Sequence, residues 1–285
     1  MTGANALRAG VAGWPIGHSR SPIIHGHWLT ELGIAGVYEK FAVPPDEFLA
    51  FAARIGQDGL LGVNVTVPHK EAAFSACGER TPVAEALGAV NTLWRRDGRL
   101  TGDNTDVAGF LANMDEGAPG WADGSKSAVV IGAGGAARAI VYALISRGVG
   151  RVAIVNRTQA RAEALAAHFG AAKALPWADL SRELAEADLL VNSSPLGMVG
   201  QPPLVIDLSP LPERAVVADA VYVPLRTPLI ERARARRLRA VEGLGMLLHQ
   251  AAPAFARWFG VRPVVTPALR ALVEADVVAT SEARK

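Results

Sequence analysis

Apolar and polar positions in this chain follow two rhythms that alternate along its length. In the first hundred residues, short runs rich in β-branched residues alternate with stretches whose apolar positions recur every three or four residues. The runs "LRAGVAGW", "VYEKFAV" and "LLGVNVTV" predict strands. "SPIIHGHWLTELG", "PPDEFLAFAARIG" and "KEAAFSA" predict helices, the first stopping at Gly33 and the second carrying proline and acidic residues in its first turn. Such alternation predicts a sheet of parallel type. The stretch "NTLWRRDGRLTGD" breaks the pattern, because Asp97-Gly98 between two strand-like runs predicts a hairpin. A helix from about Thr105 to Glu116 follows, then a polar linker, "GAPGWADGSK".

A second strand–helix alternation starts at "SAVVIGAGGAARAIVYALISRG", a strand, a glycine turn and a helix. "RVAIVNRT", "DLLVNSSP" and "AVVADAVY" predict further strands, and "QARAEALAAHFG" and "TPLIERARARRL" further helices. The tail holds two helices with no strand between them, "GLGMLLHQAAPAFARWFG" and "TPALRALVEADVVA". We therefore expect an α/β protein of two domains, residues 1–106 and 107–242, with residues 243–285 returning to cover the first.

Composition narrows the function. The chain has 285 residues, 50% hydrophobic and 20% charged, which suits one large or two medium soluble domains with ample core. A net charge of +2 implies no nucleic-acid-scale basic surface. The cluster "ERARARRLR" reads as the solvated face of a helix. A lone cysteine, Cys77, excludes an internal disulfide and fits a reducing, cytoplasmic setting. The first residues lack the charged and apolar regions of a signal peptide. The longest apolar stretch contains Arg138 and a glycine turn, which makes it a buried strand and helix rather than a membrane span. His18, His25, His27 and His69 are scattered, and no cluster has metal-ligand spacing, so no metal is expected.

Three kinds of stretch carry candidate chemistry. In "GHSRSPII", Ser21 reads as an N-cap with Pro22 at the first helical position, so a helix start presents Ser19, Ser21 and free N–H groups to an anion. In "VVIGAGGAARAI", Gly132, Ala133, Gly134, Gly135, Ala136 and Ala137 form a variant of the dinucleotide fingerprint between a strand and a helix. Gly132 allows the turn, Gly134 lets a pyrophosphate approach the backbone, and Ala137 lets the helix pack close. The next strand ends at Asn156-Arg157-Thr158 with Arg161 one turn on, where an NAD enzyme would place Asp or Glu; two arginines there favour NADP. Third, "NVTVPHK", "GAVNT" and "GDNTD" gather Asn64, Thr66, Lys70, Asn91, Asp103, Asn104 and Asp106 at strand ends and turns.

Taken together and in this order with "NRTQAR" and "EGLGMLLHQA", these stretches resemble the shikimate dehydrogenase family from about Gly13 to Gln250. The resemblance implies an N-terminal substrate-binding α/β domain, a Rossmann domain that binds NADP, and reversible reduction of 3-dehydroshikimate to shikimate on the route to chorismate and the aromatic amino acids. It implies that Ser19 and Ser21 hold the substrate carboxylate. It further implies that Asn64, Thr66, Asn91 and Gln250 bind ring hydroxyls, and that Lys70 and Asp106 form the catalytic pair. The NADP site is carried over onto Gly132 to Ala137, Asn156, Arg157, Thr158 and Arg161. Tyr222 with the substrate, and Gly243 and Met246 with the cofactor, fall where the family closes its active-site cleft, and that cleft is expected to open and close. No role is assigned to Arg20. The partner is a small molecule, with neither nucleic acid nor membrane, in a monomer or homodimer. Two other readings share the fold: a dehydrogenase of quinate or another cyclic polyol acid, and a non-catalytic NADP-binding sensor. Ser19 and Ser21 with the two arginines argue against the first, and retention of Lys70 and Asp106 against the second.

The chemistry asks for the same residue types independently. Oxidising a secondary alcohol requires a proton to leave with the hydride, and a lysine ammonium can return it to the developing alkoxide in reduction without a metal.

Overall fold

The computed structural model describes residues 7–282. The chain divides into two compact units, one comprising residues up to Thr105 with Gln250–Val273, the other Asp106–His249 with the chain from Glu274 onward.

The first unit runs β1 (Leu7–Gly13), α1 (Ser21–Glu31), β2 (Gly36–Ala42), α2 (Phe48–Ala53), β3 (Leu60–Val65), α3 (Lys70–Ala76), β4 (Glu79–Arg80), α4 (Pro82–Leu87), β5 (Thr92–Arg96) and β6 (Arg99–Asp103). Its sheet has the order β2-β1-β3-β5-β6-β4. β1 pairs parallel with β2 and β3, whereas β5 runs antiparallel to both β3 and β6. The expected hairpin is the reason the sheet is mixed rather than wholly parallel: Asp97 and Gly98 both take positive φ, +50° and +77°, the pair a two-residue primed turn requires. The reversal places the start of β5 beside the end of β3, with Asn64 opposite Thr92. β4 is two residues long and leaves no pattern to read.

The second unit runs α5 (Asp106–Gly117), β7 (Ser127–Ile131), α6 (Gly135–Ser146), β8 (Arg151–Val155), α7 (Gln159–Phe169), β9 (Ala172–Leu175), α8 (Leu180–Leu184), β10 (Leu189–Asn192), β11 (Val216–Asp219), α9 (Pro228–Ala235) and β12 (Arg239–Val241). All its strands are parallel, in the order β12-β11-β10-β7-β8-β9, with the switch of direction beside β7. This is the doubly wound Rossmann order. β7, β10 and β11 are buried at every position, as parallel strands covered on both faces must be.

Two sequence expectations change here. The polar linker is partly core: Trp121 is 1% exposed and donates its indole N–H to Asp115 at 2.8 Å. The basic cluster is not simply a solvated face. Arg232 donates to the carbonyls of Leu204 and Ile206 at 2.8 and 2.9 Å, and Arg236 to those of Leu208 and Leu211. These guanidinium groups satisfy the backbone of a segment that lies between β10 and β11 and has no ladder of its own.

The tail forms α10 (Leu244–Phe259) and α11 (Pro267–Glu282). From Gln250 onward α10 belongs to the first unit, where the Trp258 indole donates to the Leu93 carbonyl at 3.1 Å. Gly62 on β3 makes this approach possible, since a Cβ there would occupy the position of Trp258 Nε1 and the Leu93 carbonyl. Gly62→Ala should therefore lower stability by about 3 kcal/mol, the upper range for overpacking, as a fall in the urea midpoint. Gly98→Ala adds its methyl in open space and pays only for positive φ, so it should cost about 1 kcal/mol.

Candidate active site

In the first unit the candidate residues gather at one edge of the sheet, beyond the carboxyl ends of β1 and β3. Ligands of open α/β sheets bind at this edge, where strand order changes direction. Here the change falls at β1, between β2 and β3. The loop after β1 carries Ser19, and α1 starts at Ser21. Arg20, not Ser21, occupies the cap position, and it makes no side-chain cap bond. Ser21 is thus the first helical residue, its N–H donating to Ser19 Oγ and the two hydroxyls 3.3 Å apart.

Asn64, near the end of β3, is tied on both sides of its amide. Its Oδ1 accepts from the Tyr38 hydroxyl at 2.7 Å, and its Nδ2 donates to Thr92 Oγ1 at 3.1 Å and to the Asn91 carbonyl at 3.3 Å. Thr66 follows the strand, its N–H donating to the Ala12 carbonyl at 3.0 Å. Lys70, half-buried, opens α3, and its carbonyl accepts from Val90 N–H at 2.9 Å. Asn91 is buried, and its Oδ1 accepts from Thr105 N–H at 2.8 Å and Thr92 Oγ1 at 2.9 Å. Asp103 turns its carboxylate to Thr81 Oγ1 and Asn104 N–H, which holds the loop carrying Thr105. The structure thus brings Ser19, Ser21, Asn64, Thr66, Lys70 and Asn91 to one edge of one sheet. Gln250 is half-buried on α10 in the same unit, and Asp106 is buried as the first residue of α5 in the other.

The second unit carries a cavity of about 290 Å³ at the carboxyl ends of β7, β8 and β10. Gly132, Ala133, Gly134, Asn156, Arg157, Thr158 and Arg161 line it. Gly132 has φ +110°, and a Cβ there would lie 2.7 Å from Ser193 Oγ. Gly134 is the N-cap of the 12-residue helix α6 with no side-chain cap, and space is open where its Cβ would be. Uncapped N–H groups and open space at a helix start suit a pyrophosphate, and exposed Arg157 and Arg161 with no carboxylate at the end of β8 suit a 2′-phosphate. The residues therefore fit NADP. Ala137 is fully buried under the start of α6, and Gly135 and Ala136 do not line the cavity.

Sequence reasoning missed the rest of the wall: Trp177, the run Ser193 to Leu196, Gln201 and Pro202. The polar end of "DLLVNSSP", at the carboxyl end of a strand next to the fingerprint strand, was a signal for the serines; Trp177 had none.

The chain was compared with known proteins. Residues 11–93 match the shikimate dehydrogenase substrate binding domain, residues 122–197 the shikimate/quinate 5-dehydrogenase family, and residues 243–273 the shikimate 5′-dehydrogenase C-terminal domain. A shikimate dehydrogenase (NADP(+)) of Methylocella silvestris is 61% identical, over 96% of this chain and 98% of the relative. The chain belongs to the shikimate dehydrogenase family. Among solved structures, shikimate 5-dehydrogenase of Thermus thermophilus in complex with NADP(H) and shikimate is 36% identical with TM-score 0.83, covering 96% of this chain and 99% of that one. Quinate dehydrogenase of Corynebacterium glutamicum in complex with NAD is 32% identical with TM-score 0.86, covering 95% and 100%. Likeness of fold does not separate those two activities; the residues at the end of β8 bear on the cofactor.

Tyr222, Gly243 and Met246 lie together in the second unit of this shikimate dehydrogenase family member. Gly243 packs against the loop that carries Tyr222, where a Cβ would stand 2.6 Å from the Asp219 and Val221 carbonyls, and the Met246 N–H donates to the Gly243 carbonyl at 3.1 Å. None of the three lines the cavity. Buried Asp219 fixes the loop, accepting from Asn192 Nδ2 at 2.8 Å, Val221 N–H at 3.0 Å and Thr227 Oγ1 at 2.6 Å. Asn192 Oδ1 in turn accepts from Ser194 N–H and Oγ, so one buried amide links this loop to the cavity wall. His69 is buried against Phe48 and bonded to the Val43 carbonyl, and among the described residues no group of three or more His, Cys, Asp or Glu could hold a metal. No helix among them is long and apolar enough to cross a membrane.

Burial pushes the Asp219 carboxyl up to about 6 against the three hydrogen bonds that oppose the shift. A carboxyl raised above its unfolded value binds its proton more tightly in the folded state, so its contribution to stability falls as pH rises from about 4 to 6 and is level above that. Asp219→Asn keeps the shape and removes the titration. Urea unfolding of both proteins between pH 4 and 7 should shift their stability difference toward the variant by up to about 3 kcal/mol as pH rises.

Proposed function

We propose that this chain reversibly reduces 3-dehydroshikimate to shikimate with NADPH as hydride donor, in the pathway that leads to chorismate and the aromatic amino acids. The observation that carries this reading is the convergence of two neutral serine hydroxyls, two amides, a threonine and a lysine on one edge of the first sheet. That set matches a small ligand with one carboxylate and several hydroxyls. In the second unit, the paired arginines at the end of β8 select the phosphorylated dinucleotide.

When bound, the nicotinamide supplies or accepts the hydride. The chain's own residues supply the rest. Ser19 and Ser21 donate hydroxyl protons to the carboxylate at the start of α1, where the helix N-terminus already favours negative charge. Asn64, Thr66, Asn91, Tyr222 and Gln250 hold ring hydroxyls. In reduction, the Lys70 ammonium gives a proton to the alkoxide oxygen formed as the carbonyl carbon takes the hydride; in oxidation, the amine takes the hydroxyl proton as the hydride leaves. Asp106 orients Lys70 and accepts from a ring hydroxyl. Gly132, Gly134 and the start of α6 hold the pyrophosphate.

Shikimate-dependent formation of NADPH by the purified protein, with quinate as the competing substrate, tests the reaction. Lys70→Ala should cut kcat by roughly 10²- to 10⁴-fold and leave NADP affinity near wild type. Asp106→Asn should lower kcat too, and the double variant should be no slower than the worse single one, because the two act as a unit. Arg157→Ala should weaken NADP by about 1.5–3 kcal/mol while NAD is almost unchanged, measured by titration with each cofactor; equal losses would refute the assignment of Arg157.

A further inference from the structure

Tyr38 lies beneath the edge where the candidate substrate residues gather, on β2, outside every motif the sequence singled out. Its hydroxyl donates to Asn64 Oδ1 at 2.7 Å. The phenol therefore touches a residue at the hydroxyl end of the proposed ligand.

The orientation of the Asn64 amide is decided by its neighbours. The Asn91 carbonyl can only accept, so Nδ2 must face it, and the second Nδ2 hydrogen goes to Thr92 Oγ1. Oδ1 consequently faces Tyr38, whose hydroxyl must donate. With both amide hydrogens committed, Asn64 meets a ligand through Oδ1, as an acceptor of a hydroxyl proton. Tyr38 sets where that oxygen sits.

The ring is held as firmly as its hydroxyl. His25 on α1 stacks on it face to face, with centroids 4.0 Å apart and planes 7° apart, and Trp258 of α10 tilts against it at 6.1 Å. His25 is itself enclosed by Trp28, Phe255 and Trp258. Burial pushes the His25 imidazole down to about 3, which a contact with Asn64 only partly offsets, and raises the Tyr38 phenol well above its ordinary value. Both rings stay neutral at working pH, so the stack carries no charge and the phenol keeps the proton it donates to Asn64 Oδ1.

We propose that Tyr38, clamped by the stacked ring of His25, is a positioning residue for substrate binding that fixes Asn64 Oδ1 in the geometry that takes shikimate. The proposal rests on the reading that Asn64 holds the substrate, and it adds a residue that touches no ligand itself. Its signature is confined to the substrate side, because the cofactor cavity lies in the other unit.

The test uses the full-length protein. Tyr38→Phe removes the hydroxyl and keeps the stacked ring. It should raise KM for shikimate about five- to twenty-fold with kcat within about two-fold of wild type, and leave KM for NADP unchanged; one hydrogen bond in a buried network sets that scale. In an Asn64→Ala background the same substitution should change the shikimate KM less than about two-fold, because the group it acts through is gone. Unchanged KM in the single variant, an unchanged effect in the double variant, or a fall in kcat alone that tracks a lowered melting temperature would each overturn the proposal.

A second measurement needs no variant at position 38. The protein has three tyrosines, Tyr38, Tyr142 and Tyr222. With each labelled at ¹³Cζ and assigned through Tyr142→Phe and Tyr222→Phe, shikimate should move the Tyr38 signal, and a signal that stays still at saturating shikimate refutes the proposal. Wild-type protein that forms no NADPH from shikimate would instead refute the underlying reading of function, whereas an active wild type with an indifferent Tyr38→Phe refutes only the role of Tyr38.

Discussion

Asn91 closes, with its backbone and its side chain at once, the edge of the first sheet where the candidate substrate residues gather. Its N–H donates to the Asp103 carbonyl, its own carbonyl accepts from Val65 N–H and Asn64 Nδ2, and its Oδ1 accepts from Thr105 N–H and Thr92 Oγ1. The residue is 4% exposed, so these groups have no water to fall back on. Each would cost about 1–3 kcal/mol if left unpaired, and the ends of β3, β5 and β6 are therefore fixed together or not at all. On the proposed function, a ligand arriving at this edge finds its partners already ordered, and binding is spared the entropy of arranging them.

The second unit meets the same requirement with charge. Asp219 gathers Asn192, Val221 and Thr227 around one buried carboxylate, and Asn192 passes the order on to Ser194 in the cavity wall. Three donors converge on the carboxylate, yet burial still outweighs them in its titration. Those bonds hold Asn192, Val221 and Thr227 in one arrangement around the carboxylate.

Much of this was legible in the chain because the signals were local. The hairpin followed from Asp97-Gly98, where only a primed turn joins two strands so closely. The Rossmann unit followed from an apolar run feeding a glycine turn and a helix, and the strand end at Asn156–Thr158 came to the cavity as the fingerprint rule requires. What was not legible depends on how the folded chain places its neighbours rather than on the residue types of a stretch. Ser21 has the composition of an N-cap, but the chain enters α1 one residue earlier, at Arg20. Trp121 sits in a stretch of glycine, proline and charge, and only the fold supplies Phe110 and Asp115 beside it. Arg232 and Arg236 look like surface charge until a segment two dozen residues upstream presents its carbonyls. Trp177 reaches the cavity from the end of a strand too short to announce itself.

The docking of the tail on β3 and β5 also orders events during synthesis. Leu93 and Trp258 are 165 positions apart, and Trp28 bonds the carbonyl of Val264, 236 positions away. At about 5–20 residues per second the ribosome needs roughly ten to thirty seconds between the first pair. Every strand of the second sheet has been made by Val241, before the helix that the first sheet awaits. The half of the protein translated later can therefore close first. The half translated earlier must wait with one apolar face of its sheet open, exposed to chaperones and to other nascent chains, until the last helices leave the tunnel.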